Sequence, residues 1–188
     1  MRTKSMPIRS FDRHAPIIAP TAYIDPLAVV IGQVRLGAYA SLWPMVVARG
    51  DINQITIGAR TNIQDGSVLH VTHQGRYAPN GYPLTIGEQV TVGHHAILHA
   101  CTIEHHCLIG MGAIVLDGAV LPPYTLLAAG SLVSPHKVLE GGYLWRGQPA
   151  QKIRALNEAE MAYFDYSTDY YVALGQRHKE HNDVCEKH

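Results

Sequence analysis

His70, His94 and His99 are the side chains of this 188-residue chain whose type and spacing best suit chemistry. Three neutral imidazoles that leave a fourth position to water make a recurrent catalytic zinc set. In such a set the ion lowers the pKa of bound water to about 7 and makes hydroxide available at neutral pH. Imidazole also suits other ions, so zinc is the first expectation and Fe2+ or Co2+ the next. A lone histidine on a sheet face is more often solvated or hydrogen-bonded than a ligand, and His95, His105, His106 and His136 are read in that way.

Ligands must converge, and a repeat converges them here. Apolar residues recur about every six positions: Ile57, Ile63 and Leu69, then Ile86, Val92 and Leu98, then Ile103, Ile109, Val115, Leu121, Leu127 and Val133. A small or β-branched residue follows most of them by four places. A period of six with two inward positions fits a triangular β-solenoid, in which each repeat forms one flat side and three make a coil. Ile24, Val30, Leu36, Leu42 and Ala48 follow the rhythm less cleanly. The stretch from about Gly75 to Leu84, rich in Gly, Pro, Asn and Tyr, breaks the period and reads as an extruded loop.

If Ile57, Ile63 and Leu69 head the first, second and third sides and the coil resumes on the first side at Ile86, then Leu98 stacks on Leu69. His99 then stacks on His70, about 4.8 Å away at the backbone, and both can reach one ion. His94 follows Val92 by two places on another side. At strand rise it lies about 16 Å along the chain from His99, so it serves that ion only from a packed neighbour. Three-fold symmetry would give three equivalent interface sites.

The segments Arg49-Gly50-Asp51, IGARTNIQDGSVLH from Ile57 to His70, TVGHHAILH from Thr91 to His99, and LIGMGAIVLDGA from Leu108 to Ala119 resemble the γ-class carbonic anhydrase family of hexapeptide-repeat proteins, in its bacterial carbonic-anhydrase-like branch. The likeness runs from about Pro20 to Leu174. It implies an all-β solenoid, a left-handed parallel β-helix with a C-terminal α-helix packed alongside. It also implies a homotrimer with a zinc or iron ion at each subunit interface. The hand comes from the resemblance alone, because general rules for parallel connections favour the right hand.

Carried over by residue, the resemblance implies metal ligands His70, His94 and His99, with His94 supplied by the adjacent subunit. It implies that Gln64 hydrogen-bonds the metal-bound water and that Arg49 and Asp51 form a charged pair at the interface. Asp65 follows Gln64 in the same motif, and on the lattice it falls in the column of His94, one coil earlier, where a supporting or interface role is sterically reasonable. Asn62 is expected to satisfy the backbone at a corner of the coil. Tyr171 occupies a place where relatives often put a tyrosine reaching the active site, although a helix tyrosine more often fills a core.

The implied reaction is the reversible hydration of CO2 to bicarbonate. One departure bears on its speed. Well-characterised members carry glutamates in an acidic loop that ferry protons to solvent, whereas HQGRYAPNGYPL from His73 to Leu84 has no carboxylate. Regenerating hydroxide requires a relay with a pKa near neutrality, and His73 is the only side chain of that loop with one. Two other classes stay open: an acyl or acetyl transferase using coenzyme A, and a metal-stabilised trimer with a binding role and no turnover. The transferase needs no metal and leaves the match at three histidines unexplained.

The chain reads as a single domain, 1–188, with the solenoid over about residues 20–145. WRGQPAQKIR, from Trp145 to Arg154, leads the chain out of the coil. Asn157 and Glu160 then form a capping pair for an amphipathic helix over about 155–175, with Met161, Phe164, Thr168, Tyr171, Val172 and Gly175 on one face. The stretch from Gln176 to His188 is expected to be a polar, mobile tail, and MRTKSM at the start is likewise polar.

Fifteen basic and fifteen acidic residues leave no net charge, which argues against nucleic acid or an anionic membrane as the main partner. Three cysteines, an odd number with Cys101 and Cys107 inside the repeats, suggest reduced thiols and a cytoplasmic protein. No apolar stretch has the length of a signal core or a membrane span.

Overall fold

The six-residue rhythm closes into the expected coil in the structure, a computed structural model that describes residues 7–185, with side chains through His181. On the first side Ile57 stacks on Ile86, Ile86 on Ile103 and Ile103 on Leu121. Leu42, Ile63, Val92, Ile109 and Leu127 form the second column, and Leu69, Leu98, Val115 and Val133 the third. These pairings are all parallel, and the chain is a left-handed parallel β-helix with a C-terminal helix. No inward residue of the three columns is more than 1% exposed. Burying each contributes roughly 1.5–3 kcal/mol relative to leaving it in water, so the columns hold the coils in register.

A corner this tight needs a left-handed backbone. Arg60, Gln89, His106 and Tyr124 occupy one corner of successive coils, with φ between 52° and 60°. Their N–H groups donate to the carbonyls of Ala38, Ala59, Glu88 and His106 on the preceding coil, which holds a conformation that L-residues otherwise avoid.

The three sides differ in what they turn outward. On the first side the outward residues Thr56, Thr85 and Thr102 are polar and in register. On the second side Ser41, Asn62, Thr91 and Leu108 are in register, and helix α1, Glu158–Cys185, packs over the strands that carry Ser41, Asn62 and Thr91. On the third side Val29, Val47, Val68, Ile97, Ile114 and Leu132 form a continuous apolar ladder. Val68 and Ile97, at its middle, are 40% and 41% exposed.

The boundaries depart from the sequence expectation at both ends. The solenoid begins before residue 20: Ile8–Arg9 and Ile17–Ile18 both pair in parallel with Val29–Leu36. Nor does the chain leave the sheet after Trp145, since Gln151–Ala155 returns antiparallel to Tyr143–Arg146 and covers the last edge with a strand carrying Lys152 and Arg154.

Helix α1 starts at the expected cap, where Asn157 Oδ1 accepts from the Glu160 N–H and Glu160 Oε2 accepts from the Asn157 N–H. It then runs past residue 175 to Cys185, so the expected tail is largely helical. Gly175 is a contact point and not a terminator: a Cβ there would lie 3.3 Å from Tyr23 Cβ. Beyond it, Gln176 Nε2 donates to the Thr21 carbonyl at 2.9 Å and the His178 ring packs on Trp43 and Tyr23. The expectation for residues 1–6 lies outside the described residues.

The loop after His70 is extruded but folded. Thr72 pairs with Tyr82 and Gly75 with Ala78, Asn53 Nδ2 donates to the Thr72 carbonyl, and Tyr82 packs on His136.

Candidate metal centre

His70 and His99 end the third-side strands Val68–His70 and Ile97–His99 and pair in register. They stand two residues beyond Val68 and Ile97, so strand alternation turns both rings out on the same face as the apolar ladder. His70 Nδ1 lies 3.2 Å from His99 Nε2. Two imidazole nitrogens bound at 2.0–2.1 Å to a tetrahedral zinc would be about 3.3 Å apart, so the pair already has the separation of one ligand edge.

Each of the three histidines has a carboxylate on its other nitrogen. His70 Nε2 is 3.2 Å from Asp51 Oδ1, His99 Nδ1 is 2.6 Å from Asp117 Oδ1, and His94 Nδ1 is 2.9 Å from Asp65 Oδ2. Ionised carboxylates only accept, so the ring hydrogen sits on the nitrogen facing each carboxylate. That leaves lone pairs on His70 Nδ1, His99 Nε2 and His94 Nε2. With the hydrogens so placed, the first two face each other as acceptors, an arrangement that a shared cation would satisfy. The donor set therefore fits a zinc-class ion, with the carboxylates orienting the rings as they do at metal sites generally.

The electrostatics keep these groups in the required forms. Burial pushes the His70 imidazole below its ordinary pKa, against the pull of Asp51, and so favours the neutral ring. Burial would raise Asp51, but hydrogen bonds from Arg49 and His70 outweigh it and hold the carboxyl below the usual range. Asp117 is held low in the same way, with Thr72 and His99 donating to it against the effect of burial. Arg49 Nη1 stands 2.7 Å from Asp51 Oδ2, and the other oxygen of Asp51 faces His70 at 3.2 Å.

His94 belongs elsewhere, on the corner after Thr91–Val92. With Gln64, Thr91, Tyr163, Ser167 and Tyr171 it lines a cleft of about 300 Å3 between the second side and α1. Among the described residues no group of three His, Cys, Asp or Glu side chains within the chain is placed to hold a metal ion. The chain thus carries two separate clusters: Asp51, His70, His99 and Asp117 on one face, and Asp65 and His94 beside Gln64 and Tyr171 on another.

Gln64 Nε2 donates to Asn62 Oδ1 at 3.1 Å, and its Oε1 accepts no hydrogen bond among the described residues. Asn62 is not at a corner. It lies in the strand Asn62–Ile63, 1% exposed, and donates to Thr91 Oγ1, so it orders side chains and does not serve the backbone. Tyr171 is half-buried, edge-on to Trp43, and its hydroxyl is pushed up by burial and by the Asp65 charge. His73 is exposed, with no side-chain hydrogen bond among the described residues.

Asp117 is the residue that sequence reasoning passed over. The period does not point to it: Leu98 pairs with Val115, so register sets Leu116 beyond His99, and Asp117 follows one residue later, where Gly118 N–H bonds the Ala100 carbonyl. Of the histidines expected to be solvated or hydrogen-bonded, His105 Nδ1 accepts from the Glu88 N–H, His95 packs on Gly66, His136 packs on Tyr82, and His106 stacks on Tyr124 with its buried Nδ1 unbonded, 3.3 Å from Asp165 Oδ1. Cys101 and Cys107 are free, buried thiols, and burial pushes Cys107 up to about 12. Among the described residues no helix is long and apolar enough to cross a membrane.

The fold and its repeat place the chain among hexapeptide-repeat β-helix proteins. No protein-family model matches it. It is 54% identical over 157 residues to Protein YrdA of Escherichia coli K12, covering 84% of this chain and 85% of that one. Against the mitochondrial gamma carbonic anhydrase 1 of Arabidopsis thaliana it is 41% identical over 172 residues, covering 92% of this chain but 62% of that longer protein. A solved structure of a putative acetyltransferase from Bacillus cereus matches with a TM-score of 0.85 at 38% identity, covering 91% of this chain and 95% of that one. The chain belongs to the γ-carbonic-anhydrase-like family of hexapeptide-repeat proteins, a family of enzymes.

Proposed function

We propose that the protein is a metal-dependent, γ-carbonic-anhydrase-like homotrimer that hydrates CO2 reversibly to bicarbonate, at interfaces where His70 and His99 of one subunit meet His94 of the next. The observation that carries this reading is the facing pair, His70 Nδ1 and His99 Nε2 at 3.2 Å, with each nitrogen's ring anchored by a carboxylate. Held by His70, His99 and the neighbour's His94, zinc, or Fe2+ or Co2+ in its place, would supply a water of lowered pKa there.

The chain's own residues do the rest. Asp51, Asp117 and Asp65 hold the three rings in one tautomer. Gln64, with Oε1 open to the cleft, orients the nucleophile beside His94. His73, exposed on the loop that Thr72 opens, passes the proton to solvent or buffer. Tyr171 closes the wall of the cleft.

The apolar ladder on the third side supports the trimer. It runs beside His70 and His99 on the same outward face, so a copy that covers Val68 and Ile97 brings its own surface against the histidine pair. With its unpaired, buried Cys101 and Cys107, we place the protein in the cytoplasm. Acyl transfer, suggested by the name of the Bacillus cereus relative, needs one base and a coenzyme A site. Three histidines with aligned carboxylates exceed that need.

Metal analysis of protein purified without chelator, paired with stopped-flow CO2 hydration and an acetyl-CoA hydrolysis assay, tests the reading. About one zinc-class ion per chain with metal-dependent hydration supports it. Metal-free protein that turns over acetyl-CoA contradicts it.

A further inference from the structure

Four polar side chains run in file from α1 to the mouth of the cleft. Ser167 Oγ is 2.9 Å from Thr91 Oγ1, Asn62 Nδ2 donates to Thr91 Oγ1 at 3.0 Å, and Gln64 Nε2 donates to Asn62 Oδ1 at 3.1 Å. None of the four is more than 6% exposed, so water does not readily replace a missing partner.

The file has a direction. Asn62 offers its NH2 to Thr91, so the Thr91 oxygen accepts there and its own hydrogen must go elsewhere. Among the described residues the other polar side-chain atom in reach is Ser167 Oγ, 2.9 Å away, which can accept it. With the Asn62 NH2 committed to Thr91, Asn62 Oδ1 faces Gln64. Gln64 must answer with Nε2, which leaves Oε1 turned toward the cleft as an acceptor.

We infer that Ser167 is a positioning residue whose hydroxyl sustains the arrangement in which Gln64 turns its Oε1 to the reacting groups. The inference rests on reading that cleft as half of a hydration site. Without the Ser167 hydroxyl, the Thr91 hydrogen has no acceptor in the observed arrangement, and a buried donor left unpaired is costly. The file escapes that cost by reversing. Thr91 then donates to Asn62 Oδ1, the Asn62 NH2 turns to Gln64, and Gln64 presents its NH2 to the cleft. Amide oxygen and nitrogen are nearly the same size, so the reversal needs no repacking. A donor in that place can no longer accept from the O–H of the nucleophile.

The test is Ser167→Ala, with Ser167→Thr as the variant that keeps a hydroxyl. Alanine is the best helix former, so the substitution preserves α1. The first readout uses metal-free protein: hydrogen exchange of the Gln64 side-chain NH2, followed by 15N TROSY and assigned by its loss in Gln64→Glu. The inference expects a protected NH2 in the parent, at least about tenfold faster exchange in Ser167→Ala, and recovery in Ser167→Thr. A second readout is hydration by the metal-loaded protein, in which kcat should fall about tenfold with metal content and KM little changed. Unaltered Gln64 exchange in Ser167→Ala overturns the inference, as does faster exchange in Ser167→Thr as well, which would mark general loosening. Exchange needs neither metal nor turnover. A protein that passes that test but hydrates no CO2 therefore refutes the proposed reaction while supporting the role of Ser167.

Discussion

Asp117 stands on the coil after His99, one residue past its register position, and its Oδ1 lies 2.6 Å from His99 Nδ1. The same carboxylate takes the hydroxyl of Thr72, so the loop after His70 and the ring of His99 are tied to one group. If that tie keeps His99 Nε2 free and aimed at His70, Asp117→Ala should weaken metal binding about 10 to 100-fold while the trimer persists. Competition with a chromophoric chelator measures this, and unchanged affinity would remove Asp117 from the centre.

Gln64→Ala should keep both metal and assembly but lower CO2 hydration, again by about 10 to 100-fold, because it deletes an acceptor beside His94 and no ligand. Metal analysis, gel filtration and stopped-flow assay on one preparation separate the cases. Loss of the trimer would instead mark Gln64 as structural.

How much of this was legible before the structure follows from what a period can carry. Counting in sixes stacked His99 on His70, put His94 on a different side and placed Asp65 in its column. Each follows from register alone. Register says nothing of insertions: Ile8 pairs with Val30, 22 residues on, and a spacing other than three repeats hides that strand from the count. Asp117 escapes the count by one, because Leu98 pairs with Val115 and register therefore leads from His99 to Leu116, leaving the carboxylate on the next residue. Gly175 has the ordinary look of a helix end, and only the proximity of Tyr23 gives its other meaning.

His73 is exposed and belongs to a loop with no carboxylate. As the proton exporter, its replacement in His73→Ala should depress hydration with metal content unchanged, and added imidazole buffer should restore part of the loss. Equal rates for mutant and parent across buffers would exclude it.

Glu160 bonds both Arg154 and the Asn157 N–H at the start of α1, and the Arg154 guanidinium first, then the backbone donor, hold its carboxyl down to about 2. A depressed folded-state pKa contributes stability that is present above the ordinary glutamate value of 4.5 and is lost as pH falls toward about 2. Acid unfolding followed by helical circular dichroism should therefore lose part of its slope between those values in Glu160→Gln. An identical acid profile would show that the cap contributes nothing to the docking of α1.

The shared centre is tested most directly by complementation between two defective chains. His70→Ala retains His94 but lacks the facing pair, and His94→Ala retains the pair but lacks the third ligand, so neither should bind metal tightly as a pure trimer. After the two are unfolded and reassembled together in equal amounts, any mixed ring of three contains one interface where an intact pair meets an intact His94. Random mixing then predicts recovery of about a quarter of the parent's metal, and of any hydration activity with it. Differently tagged chains that co-purify as mixed trimers yet hold no metal would contradict the assignment of His94 to the neighbouring subunit.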